Sequence, residues 1–178
     1  MSHILLACEA HPVNVAWDLA KKLWPHANLP WPVLSLGAIL GCGCLITNNA
    51  DQADQGVREK GLVLTLQAAN RLLQITISET AHLIWVLRCE RVIRDVQHSQ
   101  REIQARWLKV INRRLTNDKI TATKIKHNPS FTQLVEATWE DALKKSSDLP
   151  DRWIHNHEVL VGRSAYRTQA TDGDDHMH

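Results

Sequence analysis

The chain of 178 residues is short of most things that would announce a function. It has one Tyr and one Phe against seven Trp, so its aromatic surface is almost entirely indole. No apolar run reaches the roughly 18 residues of a membrane span, because Pro, Gly or charge breaks every candidate. The start lacks a basic region ahead of an apolar one and meets Glu9 and His11 at once, unlike a secretory signal. Four cysteines without regular spacing (Cys8, Cys42, Cys44 and Cys89) do not make a disulfide framework and suggest reduced thiols in an intracellular protein. The net charge of +2 gives no global attraction for a polyanion, so any such attraction has to be local.

Catalytic groupings are equally scarce. Glu79 and His82 form an i, i+3 pair suited to a polar contact in the core. The His155-Asn156-His157 stretch lacks the spread of a nuclease motif, and Ser78, Ser99 and Ser130 have no nucleophile-elbow context. No spaced set of carboxylates for two-metal chemistry is evident. The reading is non-enzymatic.

What is present is helical periodicity. Ala16, Trp17, Ala20, Leu23 and Trp24 line one face of a helix over 13–24 that Pro25 stops. The connector to Ser35 is extended because each Pro restricts the residue before it, and it holds Trp31 as the one exposed indole. Ser35 caps a short apolar helix that the glycines at 41 and 43 end. After a polar loop at 47–56, Leu66, Ala69, Leu72, Leu73, Ile77, Ala81, Ile84, Leu87 and Val92 predict one long helix from about 62 to 96. Ser99 and Glu102 spell a capping box that opens a helix to about Leu115, with Ile103, Trp107, Ile111 and Leu115 along one edge. Ser130 and Gln133 suggest a second box, opening a helix that Pro150 stops. EVLVG at 158–162 has strand character but no partner. Trp17, Trp85, Trp107 and Trp139 all fall on apolar positions and are expected in the core.

The fold class expected is therefore all-α: an irregular bundle of about four to six helices, one of them long and central, in a helical domain over 11–163. Residues 164–178 are polar, acidic and aperiodic, and read as a disordered tail.

Between Arg88 and Lys126 stand eleven basic residues against four acidic ones. Arg88, Arg91, Arg101, Arg106, Lys109, Arg113, Arg114, Lys119, Lys124 and Lys126 are the candidate nucleic-acid contacts. Arg106, Lys109 and Arg113 fall at i, i+3, i+7, opposite the edge that carries Ile103 and Trp107. Such a face can track phosphates, or it can be an ordinary solvated surface.

His3 and Cys8 are spaced as the second half of a zinc knuckle, whose first half is usually C-x-x-C. Cys42 and Cys44 would complete a site, although their apolar surroundings suit buried thiols. No cofactor is expected unless those cysteines or a partner complete the zinc ligands.

The phrases SHILLAC, AWDLAKKLWPHANLPWPVLSLGAILGCG, ISETAHLIWVLRCERVI, REIQARWLKVINRRLTNDKITATKIK and LPDRWIHNHEVLVGR together resemble the C-terminal region of fungal retroelement-derived proteins. In those, a reverse transcriptase and an RNase H domain precede a zinc-binding segment and a helical tail. The resemblance covers nearly all of residues 1–163. It implies that His3 and Cys8 stand for the third and fourth zinc ligands, so that 1–10 is the remnant of a zinc segment in a truncated gene fragment. It also implies helical accessory material lying beyond the RNase H carboxylates. Two other expectations are a protein–protein module that self-associates and an inert remnant.

Overall fold

The computed structural model describes residues 5–6, 11–25, 29–44, 60–125, 128–143, 153–155 and 159–161. The expected zinc remnant at His3 and Cys8, the loop at 47–56, Lys126 and the expected tail lie outside them. Among the described residues the chain is all-α. The five α-helices are α1 (His11–Leu23), α2 (Leu36–Leu40), α3 (Lys60–Arg94), α4 (Gln100–Lys124) and α5 (Pro129–Trp139), and short 3-10 turns cover Cys42–Cys44, Glu140–Ala142 and Trp153–His155. None of these helices is long and apolar enough to cross a membrane.

Helix α1 buries Val13, Ala16, Trp17, Leu19, Ala20 and Leu23. The Trp17 indole N–H reaches the Leu5 carbonyl at 2.8 Å and so satisfies its one polar group inside the core. Beyond Pro25 the connector doubles back: Trp24 Nε1 donates to the Leu29 carbonyl at 2.6 Å, and its ring meets Trp31 edge-on at 6.1 Å. Trp31 is accordingly half-buried against the core rather than exposed as expected, because Trp24, seven residues earlier, supplies an aromatic partner.

Ser35 caps α2 as its position suggests: it is extended, and its Oγ accepts the Ala38 N–H at 3.0 Å. Gly41 closes the helix by donating to the Gly37 carbonyl at 2.8 Å. A Cβ on Gly41 would stand 3.1 Å from that same oxygen, which leaves little room for any other residue. The following turn is held to α3 by Asn70 Nδ2, which donates to the Gly43 carbonyl at 2.8 Å.

Helix α3, 35 residues long, is the spine. It packs against α1, α4 and α5, and it therefore buries more than one stripe, from Ala68 to Leu87. Two threonines sit among those apolar residues. Thr76 Oγ1 donates to the Leu72 carbonyl at 2.7 Å, and Thr80 Oγ1 accepts the Trp107 indole N–H at 2.9 Å. Buried hydroxyls are tolerated because each has such a partner. At its C-terminal end α3 leaves the core. Trp85 is 42% exposed, against the expectation that it packs inside, and Val92 is 65% exposed. The other helices lie on the opposite side, and a helix that is apolar nearly all round does not reveal which of its sides they cover. The end is closed by Asp95, left-handed at φ 53°, and by Val96, whose N–H returns to the Glu90 carbonyl at 3.2 Å.

The capping box at Ser99 forms in full: the Ser99 amide donates to Glu102 Oε2 at 2.7 Å, and the Glu102 amide to Ser99 Oγ at 3.3 Å. Helix α4 does not stop near Leu115 but runs to Lys124, because Asp118, Lys119 and Ala122 continue its buried edge. Helix α5 starts differently from expectation. Asn128 is the cap, its Oδ1 accepting the Phe131 N–H at 3.1 Å, and Pro129 occupies the first turn. Asn followed by Pro outcompetes the Ser130–Gln133 box, since Pro at the first helical position is preorganised and forgoes an amide with no partner there anyway. The helix ends at Trp139 in a 3-10 turn, well before Pro150. Val161 does find a partner, in an isolated antiparallel bridge with Leu143.

Three helices meet at one buried acid. Asp118 of α4 accepts from Arg71 Nη2 of α3 at 2.8 Å, and its other oxygen lies 2.8 Å from Arg71 Nη1. The same oxygen takes the indole N–H of Trp139 in α5, also at 2.8 Å. Asp118 is 6% exposed and Trp139 fully buried.

Candidate nucleic-acid interface

The candidate basic residues divide into three groups. Arg101, Lys109, Arg113, Arg114 and Lys124 stand exposed on α4. Arg88 and Arg91 are half-buried near the end of α3. Arg106 and Lys119 do not belong to the exposed face at all.

Arg106 leaves the line through Lys109 and Arg113 because it is held by a carboxylate across the turn. Its Nη2 donates to Glu90 Oε1 at 2.9 Å and its Nη1 to Oε2, while His98 Nε2 approaches the same Oε2 at 2.6 Å. This two-pronged pair joins the end of α3 to the start of α4. The hydrogen bond from Arg106 is the main reason the Glu90 carboxyl is held down to about 2, with the charges of Arg106 and His98 adding to it against partial burial. A carboxyl with a depressed folded-state value stabilises the fold above its ordinary value of 4.5, and that stabilisation is lost as pH falls toward about 2. Unfolding midpoints of the wild type should therefore drop more steeply across that window than those of Glu90→Gln. The difference at neutral pH should be on the order of 1 kcal/mol, as for a well-formed but solvent-touched pair. Parallel pH profiles for the two proteins would refute the assignment.

Lys119 is 6% exposed, and burial pushes its amine downward from the usual lysine range. It follows Asp118 on the part of α4 enclosed between α3 and α5, so it is withdrawn from any phosphate path. Lys126 lies outside the described residues.

What remains on α4 is of one sign. Between Glu102 and Lys124 the sequence has a single acid, Asp118, and that acid is spent on Arg71 and Trp139 inside the bundle. Lys109 and Arg113 are one turn apart, about 6 Å along the axis, and Lys124 lies three turns beyond Arg113, about 16 Å further on the same side. The neutral side chains among them offer little. The hydroxyls of Thr116, Thr121 and Thr123 donate to the carbonyls of Asn112, Asn117 and Ile120 at 2.9, 2.8 and 2.9 Å. Their protons are committed to the helix, so contacts to an anion fall to the cations.

Sequence reasoning missed the Asp118 junction and the Glu90–Arg106 pair. The first had a signal: Asp118 sits three residues after Leu115 and seven after Ile111, an acid on the apolar edge, which requires a buried cation partner. The cysteines show no such convergence. Cys42 is buried and its thiol points to the Gln74 carbonyl at 3.9 Å, while the side chain of Cys44 lies outside the described residues. Among the described residues no three of His, Cys, Asp and Glu gather as metal ligands do.

No protein family, curated protein or solved structure matches the chain. The class defined by the coordinates is an all-α protein with a cationic helix on its surface.

Proposed function

We propose that the chain is a non-catalytic helical module of the kind its sequence resembles, accessory to retroelement reverse transcriptase/RNase H proteins, and that it holds nucleic acid through the exposed face of α4 without reading sequence. The observation that supports this is the single-sign surface of Lys109, Arg113, Arg114 and Lys124, kept free of acids by the burial of Asp118. Point charges on flexible stems, with neighbouring hydroxyls bonded to their own helix, contact phosphates but do not discriminate base edges. About four such contacts give an affinity that falls with salt at a log–log slope near −3.6 on a duplex and −2.8 on a single strand.

A fluorescence-anisotropy titration of a labelled RNA–DNA hybrid and of a single strand, at two salt concentrations, tests this reading. Saturable binding with slopes of that size is the expected result, and reversal of charge at Lys109 and Arg113 should abolish it. Arg106 is not a suitable third site, since its reversal would break the pair with Glu90. An absence of binding at low salt would overturn the reading, and so would binding indifferent to the reversals.

A further inference from the structure

After its last helix the chain comes back to α4. Val161, buried and bridged to Leu143, donates its N–H to Asn112 Oδ1 at 2.7 Å. Asn112 borders the cationic line of α4, one residue before Arg113 and about one turn past Lys109. The described residues end at this anchor, and seventeen more follow it in the sequence. Arg163 and Arg167 come first among them. The acids come later and together, as Asp172, Asp174 and Asp175, three in four positions.

Reach and charge fit these acids to that line. Asp172 stands eleven residues past Val161, a length of chain that extends to at most about 36–40 Å. Lys124, at the far end of the line, is twelve residues past Asn112 and so about 18 Å along the axis. Every cation from Lys109 to Lys124 is therefore within range of the tether. The acids of α4 itself do not compete for those cations, because Glu102 is held by the capping box at Ser99 and Asp118 is buried against Arg71 and Trp139. We propose that the Asp172–Asp175 segment docks on Lys109, Arg113 and Lys124 of its own chain and so covers the face that nucleic acid would use. The competition with nucleic acid rests on the reading given above, whereas the docking stands without it. A tether of this length presents the segment at an effective concentration on the order of millimolar, far above what a second copy of the chain supplies in dilute solution. Each pair is exposed and screened by salt, so the cover is shallow and reversible.

Carbodiimide coupling, which joins carboxylates to lysine amines in contact with them, tests the docking with no nucleic acid present. In the full chain at low salt, Asp172, Asp174 or Asp175 should couple to Lys109 or Lys124, as mapped by mass spectrometry after digestion. The products should be intramolecular, independent of protein concentration and lost at high salt. Coupling spread over the exposed Lys21 and Lys22 of α1, or found only between chains, would overturn the proposal. The second arm is anisotropy with the labelled single strand. A triple variant, Asp172→Asn with Asp174→Asn and Asp175→Asn, should bind about three- to tenfold tighter than the wild type at low salt, as for a face that is covered most of the time. The gap should close as salt rises. Equal, measurable affinities of the two proteins would sink the proposal and leave the nucleic-acid reading standing. Coupling confined to Lys109 and Lys124, with no strand bound by either protein, would support the docking and overturn that reading alone.

Discussion

Replacing Asp118 with alanine should remove about 3–5 kcal/mol of stability, the usual cost of taking one partner from a buried ion pair. The reason is what is left behind: the Arg71 guanidinium loses its counter-charge inside the bundle, and the Trp139 indole N–H loses its acceptor. For a chain of this size each kcal/mol moves the melting temperature by about 2–4 °C, so the variant should melt some 6–20 °C lower. Urea unfolding followed by circular dichroism measures the loss directly. A loss below about 1 kcal/mol would mean that water reaches Arg71 readily and that the junction is not sealed. A double variant, Arg71→Met with Asp118→Leu, sharpens the test. It removes both charges and should cost less than Asp118→Ala alone, because no uncompensated ion remains.

Trp107→Ala should be as damaging, at about 3–5 kcal/mol, for an unrelated reason. Trp107 of α4 is 1% exposed and reaches Thr80 of α3, so truncation opens a cavity the size of an indole in the core. Trp107→Phe separates the two contributions. It keeps most of the ring and should cost about 1–3 kcal/mol, chiefly because the buried Thr80 hydroxyl loses the indole N–H that it accepts from α4. Trp85→Ala serves as the control. With 42% of that residue already in contact with solvent, its truncation should change the urea midpoint only slightly. If the Trp107 and Trp85 truncations cost the same, the division of indoles between core and surface would be wrong.

Local chemistry was the most legible level of the sequence. Ser35 and Ser99 cap the helices they were expected to cap, because a cap depends only on residues within one turn. The long helix was legible for a similar reason: no proline interrupts it after its start, and its apolar residues recur at helical spacing. The choice of side was not legible. Leu72, Ile77 and Ile84 face neighbours, whereas Trp85 and Val92 on the same helix do not, and hydropathy alone cannot separate them when three helices cover one flank and leave another bare. The end of α4 was misread at Leu115 because the buried edge continues through Asp118 and Lys119, two residues whose charge argues for a surface until their surroundings are known. The basic surface was half legible. Lys109 and Arg113 stand where periodicity puts them, but Arg106 was claimed by Glu90, sixteen residues earlier in another helix. Pairings at that separation are set by how helices pack.

The junction at Asp118 also bears on alignment. Stripes of leucine and isoleucine are forgiving, and two such helices can slide by a turn and still cover most of their apolar surface. A slide of one turn moves α4 by about 5.4 Å, which would carry Asp118 out of reach of Arg71 in one neighbour and Trp139 in the other together. The acid would then be stranded in hydrocarbon, at a cost comparable to the whole stability of an ordinary domain once its partners' losses are added. A single carboxylate thus distinguishes one alignment of three helices from the near-copies that oily contacts alone would accept, much as a key cut excludes blanks of the same profile.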